Sequence, residues 1–177
     1  MSAVMAGDRT ALEALVRRHQ GPLLGFFFRM LDGDRSQAED LVQETFLRLL
    51  RQRTYTSRRA FKPWLYAVAA NLARDHLRAA RARPAGPGDE VLALLPDRAP
   101  GPDQRAVAAA EARRVGDALA RLGEDVRATL VLRYANDLSL ADIAVALDVP
   151  VGTVKSRLNA GARRLRELLR APHEETR

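Results

Sequence analysis

Apolar residues recur along this chain at helical spacing, and alternation with period two is nearly absent. In 8–20, Leu12, Leu15 and Val16 fall at i, i+3, i+4, and in 22–31, Leu23, Leu24, Phe27, Phe28 and Leu31 do the same, which predicts two core-facing helices on either side of Pro22. A third helix is expected to begin in 34–39, with Ser36 and Glu39 spaced as a capping box, and to run to about Gln52. Its stripe is Leu41, Val42, Thr45, Phe46 and Leu49, which leaves Asp40, Gln43, Glu44, Leu47 and Arg48 outward. A fourth helix over 59–83 tolerates Pro63 only in its first turn. It carries Phe61, Leu65, Val68 and Leu72 as core, with Trp64, Ala67, Asn71, Arg74 and Arg78 on a neighbouring face.

Beyond this the pattern breaks. Residues 84–104 hold five prolines and three glycines, which no continuous helix accommodates, together with Asp89, Glu90, Asp97 and Asp103 against Arg98 alone. That stretch is predicted to be a flexible acidic linker. After it the periodicity returns, giving helices over 105–122, 125–135, 139–147 and 152–169. The fold class expected is all-α: two small helical domains, 1–83 and 105–177, joined by the linker.

Of the expected elements, 139–147 and 152–169 carry the most information. Ile143, Leu147, Val149, Val154 and Leu158 form an apolar seam, and Ala144 sits where two helices must approach closely. Pro150 ends the first helix, and Asp148 stands where the turn favours a left-handed residue, a conformation Asp visits more readily than most. This is the pattern of a helix-turn-helix, whose second helix enters a DNA major groove by its N-terminal end. Here that end presents Gly152, Thr153, Lys155, Ser156 and Asn159, followed by Arg157, Arg163, Arg164 and Arg166, which suit phosphates.

Charge sharpens this. The net +7 of the 177 residues conceals +8 on 51–83 and +5 on 151–170. Two basic runs, each at the C-terminal end of its unit, point to a polyanion touched in two places. A cationic helix face that also carries an indole and an amide suits a single strand, whose bases stack and whose phosphates need counter-charge. With no cysteine, disulfides, thiolate metal sites and a cysteine nucleophile are excluded. No apolar run approaches the roughly 20 residues that cross a bilayer, and the first residues lack the form of a signal peptide, so the expected location is cytoplasmic. His19, His76 and His173 are scattered, with no metal spacing, phosphate loop or nucleophile elbow. No catalytic residue, metal or cofactor is expected.

Three segments in order resemble one family. They are Ala38-Glu39-Asp40-Leu41-Val42-Gln43-Glu44-Thr45-Phe46-Leu47, the run from Phe61-Lys62-Pro63-Trp64 to Leu77-Arg78, and Ile143-Ala144 through Val151-Gly152-Thr153-Val154-Lys155-Ser156-Arg157-Leu158. With the intervening linker they resemble the extracytoplasmic-function (ECF) sigma factors, sigma-70-family specificity subunits of bacterial RNA polymerase. The resemblance implies that 1–83 is sigma region 2 and 105–177 sigma region 4. It implies docking of Asp40, Gln43, Glu44, Leu47 and Arg48 on the β′ clamp helices of core polymerase, which the chain would contact together with the β subunit. It further implies opening of the −10 promoter element by Tyr55, Arg58, Arg59, Lys62, Trp64, Asn71, Arg74, Arg78 and Arg81, Trp64 serving either as base contact or as buried packing. Reading of the −35 element falls to Thr153, Lys155, Ser156 and Asn159, with Arg157 and Arg163 toward the backbone. Many members have basic residues where this chain has Ala160 and Ala162. The partners implied are core polymerase, promoter DNA and an anti-sigma factor, which in a membrane-anchored form would hold the chain at the inner membrane without inserting it. The competing reading is a free-standing helix-turn-helix regulator whose N-terminal half senses or dimerises.

Overall fold

The computed structural model describes residues 4, 7–51, 60–82 and 102–170, the backbone alone for 102–108. Within them lie seven substantial helices: α1 Arg9–Met30, α2 Arg35–Arg51, α3 Phe61–Ala82, α4 Pro102–Ala120, α5 Glu124–Tyr134, α6 Leu140–Leu147 and α7 Val151–Arg170. The all-α class is as expected.

Three boundaries differ from expectation. Pro22 does not divide the first helix but lies inside α1, which runs unbroken over 22 residues. An interior proline costs about 3 kcal/mol. A continuous helix nevertheless holds Leu23, Phe26, Phe27 and Met30 in one buried register, and burial of each is worth about 2 kcal/mol. Second, Asp34 rather than Ser36 caps α2: its Oδ1 accepts the Gln37 amide at 2.9 Å, while Glu39 pairs with Arg35 at 2.8 Å. The helix starts at Arg35, so Ser36 already lies within it. Third, α4 begins at Pro102, inside the segment expected to be linker. Proline at a first helical position loses no hydrogen bond, which makes it a start signal there. The rest of that segment, 84–101, falls outside the described residues.

Helices α1, α2 and α3 pack together, as do α5, α6 and α7, with α4 against α7. The two groups also pack on each other, chiefly α6 on α3 and α5 on α1, so their buried residues form one apolar cluster from Leu23 to Leu158. Covered by α1, α2 and α6, α3 buries more than its expected stripe: Tyr66, Ala69, Ala70 and Ala73 join Leu65 and Leu72, while Phe61 and Val68 are only half-buried. His19 stacks edge-on against Phe61 with ring centroids 5.3 Å apart. Burial, then the Arg18 and Lys62 charges, lower its pKa below the usual 6.5.

Two buried polar side chains join the halves. Arg127 of α5 donates to the Met30 carbonyl at 2.8 Å and to Asp32 at 2.6 Å, and to the Ala120 carbonyl of its own half at 2.5 Å. Asn136, in the turn after α5, donates from Nδ2 to the Tyr66 hydroxyl at 2.7 Å and to the Pro22 carbonyl at 3.1 Å. Burial pushes the Tyr66 pKa up from 10 to about 12, against a smaller opposing effect of the Asn136 hydrogen bond.

Candidate nucleic-acid interface

The helix-turn-helix is built as the spacing predicts. Ser139 caps α6, its hydroxyl accepting the Asp142 amide at 3.1 Å while Asp142 accepts the Ser139 amide in return. Ile143 and Leu147 are buried with Val154 and Leu158 of α7. Asp148 takes the left-handed conformation at φ 54°, ψ 52°, and the Val149 amide closes the turn on the Ala144 carbonyl at 3.0 Å. On the α5 side, α7 lies so close that a Cβ added to Gly161 would meet Val126 at 2.6 Å and Leu130 at 2.9 Å.

That seating leaves Lys155, Ser156, Asn159 and Arg163 exposed and Thr153 partly so, with the Ser156 hydroxyl donating to the Thr153 carbonyl at 2.9 Å. Arg157 is different. It turns inward, is mostly covered, and donates to Asp125 at 2.6 Å.

On α3, Lys62, Asn71, Arg78 and Arg81 are exposed and Arg74 is partly so. Arg74 donates to the Asn71 carbonyl oxygen at 2.9 Å, so amide and guanidinium form one polar unit. Trp64 lies half-buried against the core, its ring tilted 5.9 Å from Phe61. Tyr55, Arg58 and Arg59 fall outside the described residues. On α2, Asp40, Gln43 and Leu47 are exposed and Glu44 pairs with Arg48 at 2.9 Å. Leu50, a turn beyond Leu47, is equally open, the two at 44% and 45%, which widens the apolar patch.

Sequence reasoning missed the counter-charges. Glu124 and Asp125, in the first turn of α5, stand between the two cationic surfaces. Arg81 of α3 lies 2.6 Å from Glu124 and Arg74 lies 3.7 Å from Asp125, the carboxylate that also accepts from Arg157 of α7. Nothing in the periodicity marks these two acids as more than helix-start residues. Tyr66, Arg127 and Asn136 were missed for the same reason, since their partners are 70 to 114 residues away for the asparagine and 97 and 95 for the arginine.

Family models describe the two groups of helices. Sigma-70 region 2 matches residues 15–83, and Sigma-70 region 4 matches 112–165. Among curated proteins, the chain is similar to the ECF RNA polymerase sigma-E factor of Haemophilus influenzae, 33% identical over 165 residues covering 88% of this chain and 85% of that one. It is 31% identical over 175 residues to the ECF sigma factor SigW of Bacillus subtilis, covering 94% and 93%. With SigL of Mycobacterium tuberculosis it shares 36% over 168 residues, again covering 94% and 93%. Two solved structures share the fold at a TM-score of 0.71. One is the sigma factor RpoE bound to the anti-sigma factor NepR from Bartonella quintana, 24% identical, covering 91% of this chain and 98% of that one. The other is CnrH bound to the cytosolic domain of CnrY, 23% identical, covering 97% and 96%.

Proposed function

This chain belongs to the ECF sigma factors, initiation factors that direct RNA polymerase to promoters, and from that membership we propose how its surfaces divide the work. Residues 1–83 act as the region 2 unit and 105–177 as the region 4 unit. The α2 face of Asp40, Gln43, Glu44, Leu47 and Arg48, widened by Leu50, docks on the β′ clamp helices. Exposed leucines ringed by polar and charged groups suit a protein partner better than a phosphate backbone. Asn71, Arg74, Arg78 and Arg81 hold the opened strand of the −10 element, with Lys62 at the same end of α3 as the loop that carries Tyr55, Arg58 and Arg59. Trp64, packed on Phe61, supports this helix from beneath. Lys155, Ser156 and Asn159 read the −35 element, Thr153 flanks them, and Arg157 and Arg163 grip its backbone.

The observation that carries this reading is the helix-turn-helix with its outer polar residues uncovered. Weak contacts at two promoter elements reinforce each other through effective concentration. An anti-sigma protein is the expected inhibitor, in keeping with the complexes formed by both structural neighbours. No helix among the described residues is long and apolar enough to cross a membrane. The reading places the chain in the cytoplasm, reaching the inner membrane only through such a partner.

Run-off transcription with core polymerase tests the assignment. Promoter-dependent transcripts are expected from chain plus core. Tight binding of the chain alone to duplex DNA, with no such transcript, would indicate a free-standing regulator. Replacing Arg74 and Arg78 together by Ala should abolish strand opening, read by permanganate reactivity, and leave core binding intact.

A further inference from the structure

The two cationic surfaces do not face solvent independently. Arg74 and Arg81 come from the helix assigned to the opened strand and Arg157 from the helix assigned to duplex, and all three meet the carboxylates of Glu124 and Asp125. Asp125 serves both surfaces at once, Oδ1 toward Arg74 and Oδ2 toward Arg157. These acids open α5, where the free amides of the first turn favour negative charge, so the pair is held charged in the position that phosphates would take. Behind them α6 lies on α3, and Arg127 and Asn136 join the halves by buried hydrogen bonds.

We propose that the DNA-free chain is self-masked: Glu124 and Asp125 act as a built-in phosphate mimic that latches the region 4 unit onto the strand-opening face of the region 2 unit. Promoter binding then requires the latch to open. This rests on the assignment of α3 and α7 to promoter DNA made above. The latch is of a reversible kind, because the three ion pairs are at least partly solvated and each is individually weak. A promoter offering several phosphates to the same guanidinium groups displaces two carboxylates by number. Its effect is a threshold: the free chain holds its cations occupied against stray DNA, and polymerase and promoter acting together supply the energy to part the halves.

The test compares the wild type with the isosteric double variant E124Q/D125N, and with E111Q/D117N, which removes the same charge from exposed positions of α4 outside these ion pairs. Fluorescence anisotropy measures the affinity of each free chain for a promoter fragment carrying a melted −10 region. The absence of cysteine allows a donor–acceptor pair on Gln20→Cys and Ala160→Cys to report separation of the halves. E124Q/D125N is expected to bind about five- to tenfold more tightly than E111Q/D117N, the sum of three weak pairs, with lower energy transfer before DNA is added. Equal affinity of the two variants, or unchanged transfer, overturns the latch. Run-off transcription by the wild type with core polymerase separates the two ideas. If it fails, the promoter assignment falls; if it succeeds while the variants bind alike, only the latch falls. Equal helicity of the three proteins by circular dichroism shows that the comparison is between folded chains.

Discussion

Tyr66 shows how a single side chain can join two segments remote in sequence. Its hydroxyl is buried and accepts from Asn136, whose other acceptor is the Pro22 carbonyl. Tyr66→Phe removes one partner of a buried amide and should lower stability by about 1–2 kcal/mol in urea unfolding. The raised pKa of this phenol has a definite alkaline consequence. The unfolded chain loses the proton near pH 10 while the folded chain keeps it to about 12, so stability is full below pH 10 and falls across that interval. In the Phe variant that part of the decline should be absent from a titration of unfolding free energy. Arg127 is a stronger case. It bonds two carbonyls and Asp32 from an almost wholly buried position. Truncation to Ala should cost about 3 kcal/mol, because the carbonyls of Met30 and Ala120 are left without this donor and a void opens. The unbranched apolar Arg127→Met fills the void and should cost less.

Among the elements, α6 and α7 were the most legible, because their chemistry is local. Ser139 reaches its partner three residues away, Asp148 supplies its own left-handed turn, and the apolar seam is a matter of spacing along one helix pair. The α1 boundary was misread for a non-local reason. A proline signals a break, and only burial of Leu23, Phe26, Phe27 and Met30 along one register explains why the helix continues. The contact of α5 with α7 was invisible in sequence. Gly161 lies mid-helix, where glycine lowers helix propensity, and its use emerges only from the two side chains that lie against its Cα. Gly161→Ala therefore should not give the usual helix-propensity gain. It should destabilise by about 1–3 kcal/mol through overpacking against Val126 and Leu130, measured as a lowered midpoint of thermal unfolding.

At the scale of the whole molecule, the separation into two units described the sequence better than the packing. Their apolar residues merge into one cluster, and buried hydrogen bonds cross between them. Unfolding of the free chain should accordingly be a single transition, with circular dichroism and Trp64 fluorescence coinciding in urea; two separated transitions would show that the halves melt independently. The sequence by itself determined the all-α class, the core faces of most helices, the helix-turn-helix and its capped turn, and the family. Each of these is encoded by residues within a few turns of one another, in spacing and in residue type. Tertiary structure alone decided that α6 lies on α3, that Tyr66, Arg127 and Asn136 are interface residues, and that Glu124 and Asp125 sit between the two cationic surfaces. Those facts depend on groups brought together across as many as 114 residues, and no periodicity along a chain records which remote face a helix will meet.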